Sequence, residues 1–241
     1  MFEGKKRAEN YDKLEWTDKE EYIRKLIVAC DLKSNFNVCD IGTGTGIIAY
    51  ELSHYCNTVN AIDNSNDMLN IAKTKRNQPK IRYSLMDVED MKFNDDTFDC
   101  ATSRMCFHHV ENQHKAIKEC YRILKSEAKF VISEGVPPQG ARTFFTEMFK
   151  LKEKRRTYTI DDLVDLLEYG GFKNINIDVH LMSSVSTKNW LSNAGLDDDV
   201  YNKLYNMHLD SKNYIKKAYN MKIVNGDIYM DWLQAIVSGE K

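Results

Sequence analysis

Between residues 37 and 134 the chain alternates short apolar runs with helical patterns. "NVCDI" leads through the glycine-rich "DIGTGTGIIA" into "TGIIAYELSHY", where Ile47, Ile48, Leu52 and Tyr55 recur at helical spacing. "TVNAID" is a second strand, and Ser65 stands where it would cap a helix carrying Met68, Leu69 and Ala72. "KIRYSLM" and "FDCATSRM" follow as strands. "NQHKAIKECYRIL" is an amphipathic helix with Ala116, Ile117, Cys120, Ile123 and Leu124 on one face, and "KFVISE" is a fifth strand. Strict alternation of this kind requires a parallel sheet covered by helices on both faces.

After Pro137 and Pro138 the pattern changes. "ARTFFTEMFKLKEKRR" reads as one helix, and Thr159 caps "IDDLVDLLEYGG", whose paired glycines make a helix stop. "INIDVHLM" and "DIYMDWLQAIVSG" are strands able to pair antiparallel. The polar-aromatic, helical stretch between them, from Thr187 to Asn225, is too long for a hairpin loop and reads as a lid.

The glycine loop lets backbone approach a ligand closely. A dinucleotide fingerprint places glycines at positions one, three and six. Here they are Gly42, Gly44 and Gly46, with Ile47 in the sixth place, so the pyrophosphate signature is broken. A P-loop is excluded, because no Gly-Lys-Ser/Thr follows. Asp63 ends the second strand, where a carboxylate can accept two ribose hydroxyls. Asp87 ends the third, where an acceptor can take an adenine amino hydrogen. Each alone is equally a solvated turn former. Together, at successive strand ends, they describe a pocket for an adenosine.

A net charge of −2 gives no overall attraction to nucleic acid or acidic membranes. No run approaches the roughly 20 apolar residues of a membrane span. The opening "MFEGKKRAENYDKLEW" lacks the apolar core of a secretory signal. The six cysteines, Cys30, Cys39, Cys56, Cys100, Cys106 and Cys120, are dispersed without a Cys-x-x-Cys pair. They read as packed, reduced thiols of a cytoplasmic protein.

"VCDIGTGTGIIA", "AIDNSNDML", "MDVEDMKFNDDTFDCATSRMCFHHV" and "KECYRIL" resemble, in order, the class I S-adenosylmethionine-dependent methyltransferases. Their ubiquinone/menaquinone-type (methyltransferase type 11) small-molecule branch is the nearest in pattern. The resemblance implies an α/β fold: a Rossmann-like doubly wound seven-stranded sheet, mostly parallel with one antiparallel C-terminal strand, plus a helical lid. It implies one methyltransferase domain over 1–241, with an N-terminal helical flap (1–36) and a cofactor-binding core (37–138). A C-terminal half (139–241) would carry the lid insertion at about 187–225. The implied cofactor is S-adenosyl-L-methionine and the partner a small-molecule methyl acceptor, with no membrane and no nucleic acid.

By position, the resemblance implies that Asp40, Gly42, Thr43, Gly44, Thr45 and Gly46 line the methionine end of the cofactor. Asp63 would hold the ribose, Asn64 and Met68 would flank the adenine, and Asp87 with the Val88 backbone would read its amino edge. Ser103 and Arg104 would lie under the sulfonium and amino-acid portion. "LKSEAKF" stands where the family usually has a Pro-Gly-Gly turn.

His108 and His109 are candidate general bases, since histidine titrates near neutrality, with structural packing as the other reading. With His114 they do not match a usual metal site, and no metal is expected. Tyr11 and Trp16 are candidates for a flap over the cofactor or for packing on the sheet. The run "KLKEKRR", with Lys150, Lys152, Lys154, Arg155 and Arg156, reads as a solvated helix face, an acidic substrate or RNA being the other reading. Trp190, His208, Tyr219 and Trp232 could shape an acceptor pocket. The rival functions are an RNA methyltransferase, an NAD-dependent oxidoreductase and a non-catalytic cofactor-binding protein.

Overall fold

A computed structural model describes residues 5–241; the first four residues of the expected flap lie outside the described residues. The chain opens with α1 (Lys5–Tyr11) and α2 (Glu20–Ala29). The alternating core follows as β1 (Asn37–Ile41), α3 (Ile47–Leu52), β2 (Thr58–Asp63), α4 (Asn66–Lys75), β3 (Ile81–Leu85), β4 (Phe98–Arg104), α5 (Gln113–Ile123) and β5 (Leu124–Val136). The C-terminal half comprises α6 (Arg142–Lys152), α7 (Ile160–Gly170), β6 (Lys173–Ser186), α8 (Thr187–Ser192), α9 (Asp198–Leu209), α10 (Asn213–Ala218), β7 (Lys222–Val224) and β8 (Asp227–Glu240).

The strands run in the order β3-β2-β1-β4-β5-β8-β6. Neighbours from β3 to β5 are parallel, and β8 lies antiparallel between β5 and β6. The seven-stranded sheet with one antiparallel C-terminal strand is therefore as expected. An eighth, short strand, β7, is an addition: it pairs with β8 through a two-residue turn at Asn225 (φ 51°) and Gly226 (φ 71°). Both turn residues take the left-handed conformation that a tight hairpin needs, and Asn-Gly is its common signature.

Strand order reverses between β1 and β4, which opens a crevice beyond their carboxyl ends. Two apolar cores flank the sheet. One packs α5 and α7 on it through Ile117, Ile123, Leu163 and Leu167. The other joins the N-terminal segment (Leu14, Trp16, Tyr22, Leu26), the sheet (Val131, Ile236) and the lid (Trp190, Leu204, Ile215, Tyr219). Where the family's Pro-Gly-Gly turn is missing, Glu127 adopts φ 63°, the left-handed backbone a glycine takes without strain. Among the described residues no helix is long and apolar enough to cross a membrane.

Local signals act as their chemistry dictates. Ser65 accepts the Met68 N–H at the start of α4. At α7, Thr159 Oγ1 accepts the Asp162 N–H (3.1 Å) while Asp162 Oδ2 accepts the Thr159 N–H (2.7 Å), a reciprocal capping box. The helix read over 141–156 instead stops at Lys152: Glu153 is fully extended at φ −165°. Loss of one cap hydrogen bond costs about 1 kcal/mol. Thr159→Ala is expected to lower unfolding stability by that amount, as a reduced urea midpoint at unchanged m-value.

Candidate functional site

The loop between β1 and α3 is shaped by its glycines. Gly42 has φ 68°, and a Cβ there would lie 2.2 Å from Cys106 Sγ, so only glycine lets the post-β4 segment approach. Gly44 has φ 55° and nothing within 4 Å of a built Cβ: its open side faces a cavity. Gly44 N–H donates to Asp63 Oδ2 (2.8 Å), and Ser65 N–H donates to Asp63 Oδ1 (2.9 Å), which ties the loop to the tip of β2. Thr43 Oγ1 donates to Asp40 Oδ2 at 2.6 Å.

That cavity has a volume of about 830 Å³. Its walls bring together Asp40, Gly42, Thr43, Gly44, Thr45, Asp63, Asn64, Met68, Asp87, Val88 and Arg104. Gly46 stands behind them as the left-handed cap of α3, and a Cβ there would lie 2.7 Å from the Tyr83 hydroxyl. Ser103 is fully buried and is not among the lining residues, because side chains alternate along β4 and Arg104 takes the cavity side. Burial pushes the Asp40 carboxyl up to about 6 and raises that of Asp63. Two carboxylates held in a cavity wall at a cost in hydration favour a ligand with hydroxyl or ammonium donors.

The N-terminal segment closes over this wall. Arg104 donates to Thr17 O at 2.7 Å and lies under the Trp16 and Tyr22 rings. Asp12 accepts from Thr45 Oγ1 (2.6 Å), Lys75 (3.0 Å) and Arg76 (3.0 Å), latching the segment to the glycine loop. Tyr11 and Trp16 line the cavity and meet edge to face. Trp16 continues to Trp232, and Trp232 to Trp190. Trp190, Tyr219 and Trp232 line the far wall, whereas His208 sits behind it with its ring edge-on to Trp190.

His108 and His109 occupy a short 3₁₀ turn after β4 and line the cavity. His108 Nδ1 lies 2.5 Å from Glu134 Oε2, and the His108 N–H donates to Glu134 Oε1. Burial pushes Glu134 up to about 7, and burial with nearby Arg155 holds His108 well below its usual range. Burial, then the neighbouring His108, also lowers His109. Both imidazoles are therefore neutral at pH 7. The sequence reading missed Glu134; an acidic residue closing the apolar run "KFVISE" at the ligand edge of the sheet was the available signal.

His114 does not join this group; it stacks on Tyr169. The third group beside the two histidines is Glu153, all three donor atoms lying within 4.8 Å of one another. Its carboxylate is engaged by Arg7 (2.8 Å), Lys152 (2.9 Å) and Arg155 (3.7 Å), three cations that would oppose a metal ion. The basic run is thus only in part a solvated face. Lys150, Lys154 and Arg156 are exposed, but Lys152, at the end of α6, and Arg155, just beyond it, turn inward.

Comparison with known proteins matches residues 39–132 to a methyltransferase domain family. An uncharacterized protein of Methanocaldococcus jannaschii is 31% identical over 180 residues, 70% of this chain and 80% of that one. The uncharacterized methyltransferase YcgJ of Bacillus subtilis is 27% identical over 122 residues, 49% of this chain and 48% of its own. The YcgJ crystal structure superposes with a TM-score of 0.80 at 18% identity, covering 92% of this chain and 98% of that one. Phosphoethanolamine N-methyltransferase 2 of Haemonchus contortus, in complex with S-adenosyl-L-methionine, superposes at 0.66 and 18% identity, covering 92% and 52%. The chain belongs to the methyltransferase domain family, and its fold is the Rossmann-like fold of these proteins. It spans about half the length of the first curated relatives it matches.

The buried Glu134 makes stability pH-dependent. Its folded value is raised from 4.5 to about 7, so its contribution is full below about pH 4.5 and lost as pH rises through 7. Glu134→Gln lacks this titration. Urea denaturation should therefore show the wild type losing stability relative to Glu134→Gln between pH 5 and pH 8, by on the order of 2 kcal/mol.

Proposed function

We propose that this protein is an S-adenosylmethionine-dependent methyltransferase acting on a small molecule. The observation that carries the reading is the open face of Gly44 beside two buried carboxylates, Asp40 and Asp63, at the strand-order reversal. When bound, S-adenosylmethionine would supply a methyl group on a sulfonium, for in-line attack by the acceptor on the methyl carbon with the C–S bond breaking and the neutral thioether leaving. Asp63, already positioned by Gly44 and Ser65 N–H groups, accepts the ribose hydroxyls. Asn64 and Met68 flank the adenine, and Asp87 with the Val88 backbone reads its amino edge. Asp40 and the loop from Gly42 to Gly46 receive the amino-acid end, with Arg104 beside them.

The remaining residues orient the acceptor and exclude water, which is most of what methyl transfer asks of a protein. Tyr11 and Trp16 form the flap. His108, oriented by Glu134, and His109 are neutral imidazoles that accept a hydrogen bond from a hydroxyl or amine acceptor and orient it, while the burial that lowers them weakens them as bases. A cavity of about 830 Å³ supports a small-molecule rather than a polymeric acceptor. The shared apolar core of flap, sheet and lid supports a single domain over 1–241. The six buried or half-buried free thiols support a reducing, cytoplasmic setting.

Calorimetric titration with S-adenosylmethionine should give tight binding that weakens at least a hundredfold in Asp63→Ala; unchanged affinity would remove Asp63 from the site. Because the free Asp40 carboxyl lies at about 6, protons compete with the ligand ammonium below that pH. Affinity should fall roughly tenfold from pH 7 to pH 5, and Asp40→Asn should be weaker and nearly pH-independent across that range.

A further inference from the structure

The cofactor site leaves the inward-turned part of the basic run unexplained. Lys152 and Arg155 side chains are only 6% and 2% exposed, against 66% for Lys150 in the last turn of α6. They converge with Arg7 on one carboxylate, Glu153. Glu134, the other acidic group near Arg155, is pushed by burial up to about 7, so it is only partly ionised at neutral pH, and it is occupied by His108. The two histidines are neutral. Buried Lys152 and Arg155 therefore share one full anion, Glu153, in the cavity wall. Burying charge in such excess is costly unless a ligand balances it. Arg155 Nη2 is buried without a hydrogen-bond partner, although arginine seldom leaves a buried donor unpaired.

The surroundings of this cluster are aromatic. The Arg155 guanidinium lies 3.9 Å from the Phe149 ring centroid, which fixes its plane. Phe149 packs on Trp190, and Trp190 on Trp232, all lining the same cavity. We infer, building on the methyltransferase reading above, that the methyl acceptor carries an anionic group, a carboxylate or phosphate, bound by Arg155 and Lys152, with an apolar or aromatic body against Phe149, Trp190 and Trp232. A planar guanidinium takes either anion through paired N–H donors, and the lysine adds a point charge. Glu153 then holds the cations in place when the acceptor is absent.

The test is calorimetric titration of the full chain with phenyl phosphate, benzoate and benzyl alcohol, with and without saturating S-adenosylhomocysteine. At least one anion should bind tenfold or more tightly than the neutral alcohol, and the stronger of the two identifies the headgroup. Arg155→Gln should weaken that anion at least tenfold, Lys152→Met several-fold, and Arg155→Lys less than Arg155→Gln. Glu153→Gln should tighten it several-fold, a gain that a purely structural ion cluster would not produce. Unchanged S-adenosylhomocysteine affinity in each variant shows an intact fold. Equal binding of the alcohol, or weakening in Glu153→Gln with the fold intact, overturns the proposal. So does stoichiometric zinc binding that Arg155→Gln leaves unchanged and His109→Ala abolishes. Should S-adenosylhomocysteine fail to bind while the anion pattern holds, the cofactor reading falls and the anion site stands; the converse result separates them the other way.

Discussion

Gly44 donates its backbone N–H to the carboxylate of Asp63, and with the Thr43 N–H on Ile62 O this contact joins the loop after β1 to the tip of β2. It works only because the loop backbone runs through left-handed conformations at Gly42, Gly44 and Gly46. The same turn lets Cys106, just beyond β4, pack where a Cβ on Gly42 would be. The ends of three adjacent strands are thus drawn around one crevice. Their parallel pairing guarantees that those ends lie on the same side of the sheet.

Closure of the crevice comes from segments distant in the chain. Asp12 reaches Thr45, Lys75 and Arg76; Arg104 binds the carbonyl of Thr17. The aromatic series Tyr11, Trp16, Trp232 and Trp190 then links flap, β8 and lid. Large aromatic side chains remove much apolar area from water, so their contacts hold the flap and lid more strongly than the exposed ion pairs do. The cavity beneath is lined by carboxylates and glycine backbone and also by cations and aromatic rings. The neutral pair His108 and His109 lines it too, with His108 held by Glu134.

How legible the site was depended on whether its chemistry is local. The glycine loop, Asp63, Asp87, the Ser65 cap and the Thr159 capping box are encoded within a few residues of one another. Each could be read from spacing alone. β7 was legible too, through Asn225-Gly226 beside apolar residues, but it was absorbed into the lid. The end of α6 carried no stop signal: "KLKEKRR" continues a good helical composition, and only tertiary pairing of Glu153 with Arg7 draws the chain away. Glu134 looked like the polar end of a strand because its partner is 26 residues away. Ser103 and Arg104 were read as a pair, although the pleat sends neighbouring side chains to opposite faces.

By itself, the sequence determined the alternating α/β order, the parallel core and a crevice suited to an adenosine. These follow from periodicity, turn chemistry and the steric freedom of glycine, all properties of short segments. The three-dimensional structure decided what stands opposite that crevice. Burial of Lys152 and Arg155, neutrality of His108 and the meeting of three tryptophans arise from desolvation and from tertiary contacts such as Arg7 with Glu153, His108 with Glu134 and Trp16 with Trp232. A basic residue has the same side chain on a wet helix face or in a dry cavity wall. Only the packing around it determines which.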